Sequence, residues 1–267
     1  RRAETYGPDV RYLLREYGER RRWDCLLLLE DAAGRSGPVF KSFRTILTET
    51  TVDCHGVRHA VPDYTPDGDW RRATDLLRSA LRHDFDQVTL LADSLNWPRM
   101  RTAGFDGLAI YDNYVEPGTW GRFARAASSY DLVFSFNVNP GFDGVARRHV
   151  DPGSCYRPPR FIPEDPRADW APAFSRARAA RMGAARIRES LETTVGLQLD
   201  GELADVRKGF FLVYLNSFNE WHEGHQFEPM KDFRDLSPEE RALGYHNPAV
   251  GSYRLSLLGE HLSRLLG

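Results

Sequence analysis

Short apolar runs alternate with amphipathic segments along most of the chain. The apolar runs predict buried strands at residues 26–29, 38–43, 88–92, 107–111, 132–136 and 210–215. Apolar residues at three- and four-residue spacing predict helices at 8–21, 69–82, 119–129, 168–194 and 251–266. Residues 150–167 are rich in proline and arginine and predict a long loop. Strands that alternate with helices are typical of parallel β-α-β units, so we predict an α/β fold.

Polar and aromatic side chains cluster where three of these strands end. The first strand closes with Tyr111, Asp112, Asn113 and Tyr114, the second is followed by Asn137 and Asn139, and the third by Asn216, Asn219, Glu220 and Glu223. In a (β/α)8 TIM-type barrel the active site lies at the carboxyl ends of the strands, so the pattern predicts such a barrel with one cleft there. An open doubly wound sheet is the alternative. No glycine-rich phosphate loop follows an early strand to support it.

Length and charge narrow the function classes. A chain of 267 residues fits a single barrel domain spanning 1–267. The net charge of -2 argues against a nucleic-acid partner and against an acidic membrane surface. No apolar run approaches the roughly 20 residues of a transmembrane helix, so we expect no membrane insertion.

The chain starts at Arg1 without a methionine, so we expect that the natural N-terminus is missing and that this is a fragment of a longer protein. Its compartment is therefore left open. Cys25, Cys54 and Cys155 form neither a metal-ligand pattern nor a disulfide framework. An odd number of cysteines is typical of free thiols and leaves room for one bridge.

Glu220 and Glu223 are the candidate catalytic residues. Glycoside hydrolysis generally needs two carboxyl groups, one protonated to donate to the leaving oxygen and one acting as base or nucleophile. Two acids three residues apart in a loop after a strand can reach the same cavity. Like charges at this spacing push the two pKa values apart, and the indole of Trp221 offers an apolar wall that raises one of them.

Simpler interpretations stand beside this one. Most Glu-x-x-Glu pairs are solvated loop acids. His222, His225 and Glu223 suggest a metal site, but no His-x-x-x-His pair and no cysteine partner supports it. Ser217 lacks the Gly-x-Ser-x-Gly context of a hydrolase triad.

Several other residues are candidate sugar contacts. Hydroxyl, amide, indole and imidazole groups suit this role, and they are supplied by Tyr111, Asn113, Asn137, Asn219, Trp221 and His222, with Arg148 as a further contact. Ordinary aromatic packing is the alternative for Tyr111 and its neighbours. A solvated arginine is the alternative for Arg148.

At these residues the chain resembles glycoside hydrolase family 99, the endo-α-mannosidase and endomannanase family. Residues 217–224, Ser-Phe-Asn-Glu-Trp-His-Glu-Gly, followed by Gln226, are similar to its catalytic signature. Three weaker segments agree in order: Ala-Gly-Phe-Asp-Gly at 103–107 with Tyr111, Asn-Pro-Gly-Phe-Asp at 139–143 with Arg148, and the Gly-x-x-x-Pro-x-Phe strand at 34–40. The resemblance covers nearly the whole chain.

The resemblance implies a (β/α)8 barrel that cleaves within α-mannose-containing glycans with retention and without a metal or other cofactor. It assigns Glu220 as the base that deprotonates the substrate's own 2-hydroxyl. It assigns Glu223 as the acid/base, and it places Tyr111 and His222 around the reacting sugar. Members of the family are secretory-pathway or bacterial envelope proteins.

The chain also departs from the family pattern. Arg44, Thr45 and Ile46 stand where the family has Asp-Ser-Tyr, Phe142 replaces a tyrosine, and His225 replaces a threonine. The match also begins partway into the family's barrel, which predicts that the first strands are absent here.

Two functions are therefore compared. The first is a retaining endo-acting glycosidase acting on an oligosaccharide or polysaccharide. The second is a non-catalytic or polysaccharide-biosynthesis-associated domain that binds a glycan. The altered Asp-Ser-Tyr segment favours the second, and the intact pair Glu220 and Glu223 favours the first.

Overall fold

The computed structural model describes residues 2–18, 22–111, 116–141, 169, 171–221, 224–242 and 247–266. The chain divides into two compact units. The first comprises Arg1–Asn113, Gly118–Phe136 and Val195–Leu212, and the second comprises Tyr114–Pro117, Asn137–Thr194 and Val213–Gly267. The prediction of a single domain over 1–267 stays a prediction.

The first unit contains the sheet. Its strands are β1 (Leu28–Glu30), β2 (Ser36–Ser42), β3 (Thr50–Val52), β4 (Arg58–Ala60), β5 (Thr89–Ala92), β6 (Gly107–Ala109) and β7 (Val133–Ser135). Its helices are α1 (Arg2–Gly18), α2 (Asp67–Leu81), α3 (Trp97–Thr102), α4 (Trp120–Ser129) and α6 (Ala204–Lys208). Short 3-10 turns occur at Trp23–Cys25 and Pro117–Thr119.

Five strands form the main sheet in the order β1-β2-β5-β6-β7, and β3 pairs with β4 in a separate hairpin. The pairs β2-β5, β5-β6 and β6-β7 are parallel. Each parallel strand lies next to its predecessor without a reversal of order, which is the order of a barrel rather than of a doubly wound sheet. The α/β fold predicted from the pattern is confirmed.

Strand β1 runs antiparallel to β2, unlike the other neighbouring strands of the main sheet. The two strands are separated by only five residues, 31–35, and Gly34 takes a left-handed φ of 76° in this turn. A turn this short permits a hairpin, whereas a parallel crossover needs about a dozen residues.

Helices α1 and α2 pack against each other and share an aromatic cluster. Tyr6, Trp70 and Phe105 meet edge to face or tilted, with ring centroids 5.6–6.2 Å apart. Further along α2, Leu77 and Leu81 of the predicted apolar face are buried, whereas Leu76, predicted on the same face, is exposed.

The strand predicted at 210–215 is wrong. Leu215 makes a single parallel bridge with Val138, and the rest of the run is irregular. The reason lies in Gln198, whose side-chain amide accepts from the backbone N–H of Leu212 and donates to its carbonyl, both at 2.8 Å. The hydroxyl of Ser135 also donates to the Leu212 carbonyl. Side chains thus occupy the backbone groups that a longer ladder would use.

The second unit contains most of helix α5 (Ala173–Gln198), together with α7 (Pro238–Ala242) and α8 (Tyr253–Leu266) and the 3-10 turn Phe233–Asp235. Helix α5 starts five residues later and ends four residues later than predicted. Gly183 on α5 faces α8 closely, since a Cβ there would lie 2.7 Å from the hydroxyl of Tyr253.

The structure also gives the state of two cysteines. Cys54 is disulfide-bonded and so takes part in the one bridge that the odd cysteine count left open, whereas Cys25 is free and exposed. The β3-β4 hairpin was not predicted from the pattern. The loop predicted at 150–167 lies outside the described residues.

None of the helices that the structure describes is both long enough and apolar enough to cross a membrane.

Candidate active site

Asp93 ties together the carboxyl ends of three strands in the first unit. It directly follows β5, and its two carboxylate oxygens accept from the backbone N–H of Arg44, after β2, and of Tyr111, after β6, at 3.1 and 3.0 Å. Its own N–H donates to the hydroxyl of Thr45 and to the carbonyl of Ser42. The predicted sugar contact Tyr111 is therefore anchored through its backbone by a carboxylate.

Around Tyr111 the first unit offers an aromatic and cationic surface. The ring of Phe43 meets the Tyr111 ring edge to face at 5.0 Å, and the Lys41 ammonium lies 5.3 Å from the Tyr111 ring centroid. The Phe43 side chain is 53% exposed. We call Lys41, Phe43, Asp93 and Tyr111 the strand-end cluster. Aromatic rings with an exposed face are suited to stack on a sugar.

The positions that depart from the family pattern lie beside this cluster. Arg44 and Ile46 have left-handed φ values of 49° and 53°, a conformation that is costly for a β-branched residue such as Ile46. Thr45 and Ile46 are buried, at 3% and 4% exposure. In this chain, therefore, neither side chain is offered to a ligand at that point.

In the second unit, Asn137 lies in a buried network and is fully shielded at 0% exposure. Its side-chain oxygen accepts from the amide of Asn139 at 2.7 Å. Asn139 in turn accepts from the Arg186 guanidinium at 3.2 Å, and its backbone N–H donates to the Ser190 hydroxyl at 3.3 Å. Helix α5 thus holds the 137–141 segment, and the structure gives Asn137 a structural role that the sequence did not indicate.

Residues 216–228, here called the acid loop, follow the bridge at Leu215 and are closed at their base by backbone hydrogen bonds. Ser217 donates to the carbonyl of His225 at 3.2 Å and accepts from the N–H of Phe227 at 2.9 Å. Phe218 accepts from the N–H of Glu228 at 2.8 Å. Three backbone hydrogen bonds at the base thus fix the ends of the loop whose sequence contains the predicted acids.

The tip of the acid loop exposes the predicted sugar-binding groups. Glu220 is half-buried, and Asn219 and Trp221 are exposed, the indole at 56%. The Trp221 indole N–H donates to the carboxylate of Glu228 at 2.7 Å, which fixes the ring orientation from the base of the same loop. Gly224 closes a turn onto the Trp221 carbonyl and takes a left-handed φ of 69°, which a glycine adopts without strain.

Four of the predicted site residues lie outside the described residues: the catalytic candidate Glu223 and the sugar contacts Asn113, Arg148 and His222. Their assigned roles stay predictions. Within the described ranges, no group of three His, Cys, Asp or Glu side chains could hold a metal ion. His222 and Glu223 are not part of those ranges, so the metal alternative at this position is untested.

Sequence reasoning missed Asp93 and Glu228, which hydrogen-bond the predicted contacts, and Arg254, which donates to the backbone of the acid loop. Asp93 could have been found, because it follows the buried 88–92 run as the other polar residues follow their strands. Glu228 and Arg254 carried no such signal. Glu228 accepts from the indole of Trp221, and Arg254 donates to two backbone carbonyls.

A cavity of about 420 Å³ lies elsewhere in the first unit, between α1 and α2. Ala3, Gly7, Arg11 and Leu76 are among the residues that line it. Parallel α/β folds place their chemistry at the carboxyl ends of strands, so we do not assign this cavity to catalysis.

Two solved structures resemble the whole chain. Both are GH99 endo-α-mannosidase structures from Bacteroides thetaiotaomicron, one of them in complex with bis-tris-propane. The complex shares 18% identity and a TM-score of 0.50, covering 99% of this chain and 68% of its own. The other shares 17% identity and a TM-score of 0.55, covering 98% of this chain and 62% of its own.

The chain is similar in fold to GH99 endo-α-mannosidases. The structural resemblance predicted from the motifs is thereby confirmed. No protein-family model matches the sequence, and no curated protein matches it either. At 17–18% identity the likeness to the GH99 structures establishes the fold and leaves activity to be argued from the residues.

Proposed function

We propose that this chain is a glycoside hydrolase domain with an eight-stranded barrel architecture that cleaves α-mannosidic or similar α-linked bonds inside a glycan. The observation that carries the proposal is the acid loop: its Glu-Trp-His-Glu tip follows a parallel bridge at Leu215, in a chain with the fold of endo-α-mannosidases. The closed base of this loop supports the proposal, because catalytic carboxyl groups need a fixed framework.

In the proposed first step, the Glu220 carboxylate removes the proton of the substrate's 2-hydroxyl. That oxygen attacks the anomeric carbon, the glycosidic bond breaks, and the Glu223 carboxyl protonates the leaving oxygen. The product of this step is a 1,2-anhydro sugar. In the second step Glu223, now ionised, removes a proton from water, which opens the anhydro ring at the anomeric carbon. Glu220 returns its proton to the 2-oxygen, and two inversions give overall retention.

The route needs no metal and no cofactor, since the two glutamates make every proton transfer in both steps. Trp221 and Asn219 are the proposed sugar contacts on the acid loop, with His222 beside them. Tyr111, next to Phe43, is the proposed contact in the first unit. Asn113 and Arg148 complete the proposed set of contacts.

Replacing either glutamate tests the assignment. Glu220→Gln and Glu223→Gln should each lower kcat on an activated α-mannoside by about 10²–10⁴-fold, the usual contribution of a general acid or base. The measurement is release of the leaving group at saturating substrate. Glu260→Gln on α8 is the matched control, because Glu260 is exposed and belongs to neither proposed role. Unchanged turnover in Glu223→Gln would exclude the proposed mechanism.

A non-catalytic glycan-binding domain is the second candidate. The burial of Thr45 and Ile46, which stand at the family's Asp-Ser-Tyr positions, favours it because those side chains cannot reach a ligand. Calorimetry with α-linked manno-oligosaccharides separates the two candidates. Heat of binding without any product after prolonged incubation supports this candidate, and hydrolysis sensitive to Glu223→Gln rejects it.

A further inference from the structure

A buried arginine from the C-terminal helix contacts the acid loop. Arg254, near the start of α8, is 1% exposed. Its Nη1 donates to the carbonyls of Gly224 and Gln226, both at 2.8 Å. A guanidinium nitrogen carries two N–H groups, so one atom can serve both carbonyls.

These two contacts lie on the opposite side of the segment from its other hydrogen bonds. The carbonyl of His225, between the two, accepts from the Ser217 N–H. Successive groups of an extended segment point in opposite directions. Residues 224–226 are therefore held on one side by the base of the acid loop and on the other by Arg254.

The position of Arg254 is itself fixed. Its Nε donates to the hydroxyl of Tyr253 at 3.2 Å. That hydroxyl packs against Gly183 of α5, where a Cβ would lie only 2.7 Å away. Burial lowers the pKa of Arg254 to about 9, which still leaves the side chain charged at neutral pH. A charged donor makes stronger hydrogen bonds to carbonyls than a neutral one does.

We propose that Arg254 is a positioning residue for the acid loop. By fixing the carbonyls of Gly224 and Gln226 it restricts the backbone that directly follows, in sequence, the residue to which the proposed function assigns the acid/base role. The catalytic part of this inference rests on the proposed function, whereas the structural part does not.

The test uses Arg254→Met and Arg254→Lys, with Arg264→Met as the matched control. Arg264 is exposed on the same helix, so its substitution removes the same charge without touching the acid loop. In Arg254→Met we expect kcat to fall by about 100-fold with KM changed less than about 3-fold, because a small displacement of a reacting group acts on the chemical step. Arg254→Lys keeps a charged donor of shorter reach, so its kcat should be about tenfold higher than that of Arg254→Met.

Hydrogen exchange provides a readout that is independent of activity. The amides of Ser217 and Phe227 close the base of the acid loop, and they should exchange about tenfold or more faster in Arg254→Met, since the loop then opens more readily. Exchange in α2 and β5 should stay unchanged. If Arg254→Met does not fold, Arg254→Lys carries the same test, with intermediate effects expected on both readouts.

The outcomes separate this inference from the proposed function. Normal kcat, or unchanged exchange at Ser217 and Phe227, in a folded Arg254 variant overturns the positioning role while leaving the glycosidase proposal intact. An equal effect in Arg264→Met overturns it too. A parent protein that cleaves no α-mannoside, but whose acid loop exchanges faster on Arg254 substitution, rejects the glycosidase proposal and keeps the structural part.

Discussion

The carboxyl of Asp205 shows what burial does to one ionisable side chain in this fold. It lies on α6 at 0% exposure and accepts from the backbone N–H of Phe134 at 3.1 Å. Burial raises its pKa to about 8, and the Phe134 hydrogen bond and the charge of Lys208 offset only part of this effect. At neutral pH the folded protein therefore carries Asp205 mainly as the neutral acid.

The raised pKa of Asp205 makes the free energy of unfolding depend on pH. The unfolded chain ionises Asp205 near its ordinary pKa of 3.8, whereas the folded protein keeps the proton up to about pH 8. Between these values the folded state binds more protons, so stability falls as pH rises, by about 1.4 kcal/mol per pH unit for one group.

Urea unfolding at pH 5, 6 and 7 measures the slope. Asp205→Asn should remove this contribution, because the amide oxygen still accepts from Phe134 and has no charge to bury. Identical pH slopes for the two proteins would contradict the assignment. Asp200→Asn, at a half-buried loop position, serves as the control.

At the scale of elements, Gln198 replaces part of a strand. Its side chain hydrogen-bonds both backbone groups of Leu212, so Gln198→Met keeps the side-chain volume but leaves the Leu212 N–H without its partner and the carbonyl with only the Ser135 hydroxyl. The expected cost is about 1–3 kcal/mol of unfolding free energy, measured by urea titration. Glu192→Met, exposed on the same helix, should change stability by less than about 0.5 kcal/mol. A Gln198 variant as stable as this control would show that the contacts contribute nothing.

The same element shows how far sequence reasoning reaches. Hydrophobic runs predicted β5, β6 and β7, which are almost entirely buried, and β2, which is mostly half-buried. The 210–215 run is similarly apolar. Its residue Leu212, however, makes its backbone hydrogen bonds with the side chain of Gln198 on α5. Hydrophobic periodicity predicts which side chains are buried, but it does not predict which group hydrogen-bonds to a backbone N–H.

The same limit applies to the residues of the candidate site. Tyr111 follows β6, as the polar pattern predicted, whereas the acid loop follows the single bridge at Leu215 and not the predicted strand. Asn137 is buried and accepts from Asn139, which in turn accepts from Arg186 of α5, and its predicted role as a sugar contact stays a prediction. Arg254 was missed because its partners are carbonyl oxygens, which every residue possesses and no sequence motif marks.

For the molecule as a whole, the covalent link at Cys54 affects stability. Cys54 lies in the turn of the β3-β4 hairpin and is disulfide-bonded. A cross-link restricts the unfolded chain, and its loss typically costs about 2–4 kcal/mol. Reductant should therefore lower the thermal midpoint by several degrees. Iodoacetamide without reductant should label Cys25 and spare Cys54, as mapped by mass spectrometry. Labelling of Cys54 in unreduced protein would contradict the bridge.

The capped edge of β7 has a consequence for how the molecule behaves at high concentration. An open strand edge is a template on which another chain can add by backbone pairing, and such pairing leads to aggregation. Here the Phe134 N–H is occupied by Asp205, and both backbone groups of Leu212 are occupied by Gln198. A second molecule must first displace two buried side chains before it can pair there. The side chains of Asp205 and Gln198 thus also protect this edge against self-association.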